Sequence, residues 1–125
     1  MNWVELATKS HTEHAASLAA LNRRVTAYVS ALTDSIVEQS SADGHVTFSM
    51  SDESRSGCTI RAQHDETSVT VKCEVILAQD EHKLQLNTDA DVLGVLTGFN
   101  TDDDVTPALE STADYVGLAL ATAKS

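Results

Sequence analysis

The first third of the chain repeats apolar side chains at alternating intervals of three and four residues. This spacing is typical of an α-helix with one apolar stripe, and here it holds over four repeats. We therefore predict a long helix over residues 3–39. Its stripe consists of Val4, Ala7, His11, His14, Leu18, Leu21, Val25, Tyr28 and Leu32.

Two positions can start this helix, because the sequence contains two capping boxes. Asn2 is followed three residues later by Glu5, and Ser10 is followed by Glu13. The helix begins directly after Asn2 in the first case and near His11 in the second. The polar run "EQSSADG" then ends it.

The length of this helix predicts a partner. A helix over residues 3–39 is roughly 55 Å long, whereas a compact domain of this size has a radius of gyration of about 14 Å. We expect the helix to project and its stripe to be covered in a homodimer, with the two helices parallel or antiparallel. The expected interface residues are His11, His14, Leu18, Leu21, Val25, Tyr28 and Leu32.

His11 and His14 lie on the apolar stripe, and three interpretations of them stay open. They form the end of a packing face, or a pH-sensitive interface, because histidine titrates near neutral pH. As a pair at i and i+3 they are also weak candidate metal ligands, although Glu13 points elsewhere on the helix and supplies no third ligand.

Beyond the first helix the apolar period changes to two, which predicts a four-stranded antiparallel meander over residues 45–88. Short polar segments separate the strands, as hairpin loops do. Centring the second and third loops places Cys58 opposite Cys73 and Leu77 opposite Leu84. Both hairpins then put apolar side chains opposite each other on one face.

Cys58 and Cys73 point into the predicted core. We interpret them as reduced, buried core residues, with a disulfide or a ligand pair as the alternative. Neither belongs to a CxxC motif, so a zinc site has little support.

The last third predicts two further elements. Residues 89–98 form a short helix or, alternatively, a strand, and residues 106–123 form a C-terminal helix with Pro107 in its first turn. The predicted fold is a single α+β domain over residues 1–125, with the short and C-terminal helices packed on one face of the sheet.

The charge is unbalanced, with 19 acidic and 8 basic residues and a net charge of −11. The excess of negative charge argues against a protein that binds nucleic acids by neutralising their phosphates. It also argues against a protein that adsorbs to anionic membranes. A solvated acidic shell, as in salt adaptation, and an acidic face for a basic partner both stay open.

Three consecutive aspartates, Asp102, Asp103 and Asp104, precede the last helix. An EF-hand loop fails on spacing, because the required glycine and the final glutamate are absent. Asp102 and Asp104 are therefore only weak metal candidates. The negative charge suits a helix N-terminus, and the three residues are a candidate acidic contact for a partner.

The sequence indicates the fold more clearly than the function. The sequence holds no nucleophile elbow, phosphate loop, dinucleotide fingerprint or HExxH motif, so we expect neither an enzyme nor a cofactor. No apolar run is long enough for a membrane span and no secretory leader is visible, which favours the cytoplasm, or the host cytoplasm for a viral protein.

The order of elements is loosely similar to two families. The long helix followed by "SADGHVTFSM" resembles the YbaB-type nucleoid-associated dimers, and the acidic composition with "TPALESTADYVGLAL" resembles the type III secretion chaperones. The extra strand pair and the charge depart from the first family, and the unbroken meander departs from the second. The sequence therefore assigns no family.

The projecting stripe and the acidic surface favour a non-enzymatic protein-binding module that forms a homodimer and binds a second, unidentified protein. Chaperone, immunity and viral or phage anti-host roles all fit. One alternative is a small-molecule-binding or enzymatic module with a pocket between the sheet and its helices. The other is an acidic nucleic-acid mimic.

Overall fold

A computed structural model describes residues 2–40, 46–96 and 105–124. It confirms an α+β fold in which helices flank an antiparallel sheet. The elements are α1 (Trp3–Ser40), β1 (Val46–Ser54), β2 (Gly57–His64), β3 (Thr67–Ala78), β4 (Glu81–Asn87), β5 (Val92–Leu96) and α2 (Thr106–Lys124). Among the described residues, neither helix is long and apolar enough to cross a membrane.

The first helix starts at the earlier of the two capping boxes. The side-chain Oδ1 of Asn2 accepts a hydrogen bond from the backbone N–H of Glu5 at 3.2 Å, which satisfies one of the free donors of the first turn. The helix then runs through Ser10 without a break. Its 38 residues give a length of roughly 57 Å.

The sheet is a meander in the order β1-β2-β3-β4-β5. Cys58 pairs with Cys73, which confirms the predicted register of β2 and β3. The predicted register of β3 and β4 is wrong by two residues, because Leu77 pairs with His82. The cause is the turn, a two-residue loop whose central residues have φ angles of 53° and 63°, as a type I′ hairpin turn requires.

The prediction of four strands and a short helix is wrong in detail, because Val92–Leu96 forms a fifth strand beside β4, in agreement with the strand alternative for this segment. Thr88 shows why the chain turns here. Its hydroxyl oxygen accepts hydrogen bonds from the backbone N–H groups of Ala90 and Asp91, and its own N–H donates to the carbonyl of Asp91 at 2.8 Å. Thr88 thus closes a hairpin between β4 and β5.

The core lies between one face of the sheet and the two helices, and it draws on every helix and on strands β2 to β5. Alternate strand residues point toward the helices, while the intervening ones, such as Arg61 and Lys72, lie on the opposite, polar face. Two side chains of β4, Leu84 and Leu86, are completely buried in the core. Burial of each such side chain contributes about 1.5–3 kcal/mol, so the sheet is held mainly by this single covered face.

Gly57 opens β2 at a position that only glycine can occupy. Its φ angle is 142°, and a Cβ atom there would overlap the backbone carbonyl of Cys73. The close approach of the two backbones brings Cys58 directly opposite Cys73.

Candidate functional site

The structure divides the apolar stripe of α1 into two parts. The C-terminal part packs against the protein's own sheet and consists of Leu21, Val25, Tyr28 and Leu32. Leu18 is half-buried, whereas His11 and His14 are exposed. Four of the seven expected interface residues therefore belong to the intramolecular core, and only the N-terminal part of the stripe is accessible.

The accessible part belongs to a segment that we call the projecting segment, Trp3–Glu13. Apart from Ala7, which is half-buried, all of its side chains are exposed. Three of them are large and apolar, with exposed fractions of 72% for Trp3, 66% for Val4 and 53% for Leu6. An apolar cluster of this kind on a helix indicates a surface that another molecule covers.

One of the two stripe histidines, His14, contacts a histidine of the sheet. The imidazole of His14 lies edge-on to that of His82, with ring centroids 5.5 Å apart and an interplanar angle of 88°. The Nε2 atom of His82 is buried and has no hydrogen-bond partner among the described residues. Within residues 2–40, 46–96 and 105–124, no three side chains of the metal-binding types are arranged to hold an ion. The other two weak metal candidates, Asp102 and Asp104, lie outside the described residues. The same holds for the whole candidate acidic contact, Asp102, Asp103 and Asp104.

A polar cluster lies inside the core, where both cysteines are free thiols. The phenol of Tyr28 contacts the hydroxyl of Thr112 and the thiol of Cys73, and Cys73 in turn contacts Cys58. Burial raises the pKa of Tyr28 well above its ordinary value.

The two thiols of this cluster have pKa values that move in opposite directions. The hydrogen bond between them raises the pKa of Cys73, and burial raises it further. The same hydrogen bond lowers the pKa of Cys58, although burial opposes that effect. The raised pKa values of Tyr28 and Cys73 favour the uncharged form of these two buried groups.

A cavity of about 330 Å³ lies between α1, α2 and the sheet. Apolar side chains form most of its wall, including Leu32, Ile36, Phe48, Ile60, Val116 and Leu120. Thr112 also lines the cavity, so the buried polar cluster borders it. The cavity is at the small end of the range of about 300–1,000 Å³ that ligand pockets span.

Sequence reasoning predicted no specific residues for this cavity, although two signals for it exist. Ala113 and Gly117 are one turn apart on α2, and both line the cavity. A Cβ atom at Gly117 would have no other atom within 4 Å. Both residues are exposed, so these two small residues on one face of α2 keep the cavity open toward solvent.

Comparisons of the chain with protein-family models, with curated proteins and with solved structures found no match.

Proposed function

We propose that the protein is a small, acidic, non-enzymatic protein-binding module that forms a homodimer through the projecting segment of α1 and binds a further protein. The observation that carries this proposal is the exposure of Trp3, Val4 and Leu6 on one helical segment beyond the core. The non-enzymatic part rests on the sequence, which contains none of the catalytic motifs tested above.

Charge supports a second copy as the first partner. The projecting segment carries Glu5, Lys9 and Glu13, a net charge of −1, whereas the whole chain carries −11 and hence −10 elsewhere. Two such segments can approach with little mutual repulsion. The remainder of each chain repels its counterpart at low ionic strength.

The same distribution of charge favours antiparallel pairing. When two projecting segments lie antiparallel, the acidic bodies of the two protomers sit at opposite ends of the helix pair. Parallel pairing would instead place the two bodies side by side. We therefore propose an antiparallel dimer that becomes tighter as salt screens the residual repulsion.

Sedimentation velocity over a range of protein concentrations tests the proposal. The wild type is expected to reach twice the mass of the chain, and Leu6→Asp is expected to remain a monomer because it buries a charge in the interface. Leu118→Asp is the matched control, since Leu118 is also a helical leucine with an exposed fraction of 57% but lies on α2.

Trp3 provides an independent optical measurement, because it is the only tryptophan of the chain. Its emission should shift to the blue as the wild type associates and should stay red-shifted in Leu6→Asp. A monomer at every concentration, with Trp3 emission unchanged by dilution, would exclude the homodimer.

A further inference from the structure

The cavity between α1, α2 and the sheet has the features of a built binding site. It is closed on three sides by secondary structure, and its wall is largely apolar. Gly117 lines the cavity without a side chain, although glycine in the interior of a helix is unfavourable.

The polar groups of the wall restrict what the cavity can accept. Thr112 donates its hydroxyl hydrogen to the carbonyl of Ala108 at 2.8 Å, and its oxygen accepts from Tyr28. The hydroxyl of Thr112 is therefore already engaged. Among the described residues, Glu110 is the one charged side chain that lines the cavity, and it is exposed, which places its carboxylate on the solvent side.

We propose that this cavity binds a small amphipathic cation, with an apolar tail against the sheet and an ammonium group near Glu110. A ligand with a carboxylate head is disfavoured, since it would meet both Glu110 and the net charge of −11. The cavity and the projecting segment share no residue, so this site does not depend on the proposed homodimer.

Isothermal titration with three ligands of equal chain length tests the charge preference. At neutral pH and low salt, octylamine is expected to bind more tightly than 1-octanol, and 1-octanol more tightly than octanoate. Because Glu110 is exposed, the affinity should fall roughly two- to fivefold from octylamine to 1-octanol and again from 1-octanol to octanoate. Equal affinities, or tightest binding by octanoate, would overturn the assignment of a cationic ligand.

The role of Glu110 is separable from the general negative charge of the protein. Glu110→Gln should bring octylamine to the affinity of 1-octanol. Glu74→Gln is the control, because it removes the same charge from the opposite face of the sheet. A similar loss of octylamine affinity in both variants would show that only the overall charge matters and would contradict the site.

Filling the cavity tests its location. Ala113→Leu should abolish binding of all three ligands, whereas Ala121→Leu makes the same substitution on an exposed position of α2 outside the cavity wall. Gly117→Leu provides a second filling variant, and circular dichroism verifies that each variant is folded. In the wild type, affinity should rise roughly fourfold per added methylene and then level off when the cavity is full. Binding that persists unchanged in both filling variants would refute the proposal.

Discussion

The hydroxyl of Tyr28 in α1 lies 2.5 Å from the hydroxyl of Thr112 in α2, although 84 positions separate the two residues in the chain. Thr112 uses its own hydrogen for the carbonyl of Ala108, so its oxygen accepts the hydrogen of Tyr28. Both side chains are almost completely buried. This hydrogen bond joins the two helices that wall the cavity, and it fixes their relative position beside the sheet.

Replacing Thr112, which carries the acceptor oxygen, should therefore lower the free energy of unfolding more than replacing Tyr28, which carries the donor. Thr112→Val removes a hydroxyl that takes part in two hydrogen bonds, one with Tyr28 and one with Ala108, and we expect it to lower the free energy of unfolding by about 1–3 kcal/mol. Tyr28→Phe leaves Thr112 bonded to Ala108 and should cost about 1 kcal/mol. Urea unfolding followed by circular dichroism measures both values.

The double variant decides whether the two residues act as a pair. Once Tyr28 is replaced by phenylalanine, valine at position 112 removes only the hydrogen bond to Ala108. Tyr28→Phe/Thr112→Val should then cost clearly less than the sum of the single changes. Strictly additive costs would mean that the two hydroxyls do not interact in solution.

Stability should also fall at alkaline pH because of Tyr28. Burial raises the pKa of its phenol, so above about pH 10 the unfolded chain releases a proton that the folded protein retains. The folded state thus binds more protons, and each further pH unit lowers the free energy of unfolding by up to about 1.4 kcal/mol.

The corresponding measurement is a series of urea titrations between pH 8 and pH 11. Other groups also titrate in this range, so the informative quantity is the difference between the wild type and Tyr28→Phe. That difference should be constant below pH 10 and should shrink above it. Parallel curves up to pH 11 would contradict the retained proton.

The pattern of apolar residues predicted the elements better than their registers. The predicted β3–β4 register differs from the observed one by two residues. A shift of two residues keeps every side chain on the same face, so apolar positions oppose each other in both registers. The turn decides between the two registers, and Gln79 with Asp80 lacks the usual Asn-Gly signal of a type I′ turn. The pattern alone could not separate them.

The fifth strand was ambiguous for a different reason. Val92, Val95 and Leu96 fit both a helical and an extended spacing. The hydrogen bonds to β4 and the turn at Thr88 settle the conformation, and both depend on residues that are not part of the strand. The sequence allowed a pocket between the sheet and its helices but not its lining residues, because these depend on how two helices distant in sequence pack on the sheet.

The two thiols should be inert in the folded protein. Cys58 and Cys73 have exposed fractions of 3% and 2%, and reaction requires an accessible thiolate. We expect Ellman's reagent at pH 8 to label neither thiol in the native protein and both in urea, since opening limits the reaction. Mass spectrometry of the unreduced chain should show two free thiols. Rapid native labelling, or a mass lower by two hydrogens, would contradict this assignment.

Two glycines should respond in opposite directions to the same substitution. A Cβ atom at Gly94 would collide with the ring of Tyr115, so Gly94→Ala forces the ring or strand β5 to shift and should cost about 1–3 kcal/mol. A Cβ atom at Gly117 meets nothing within 4 Å, and alanine there should stabilise α2 by about 0.5–1 kcal/mol. Thermal unfolding of the two variants beside the wild type measures the contrast. If Gly94→Ala were as stable as the wild type, the packing of α2 against β5 through Tyr115 would be incorrect.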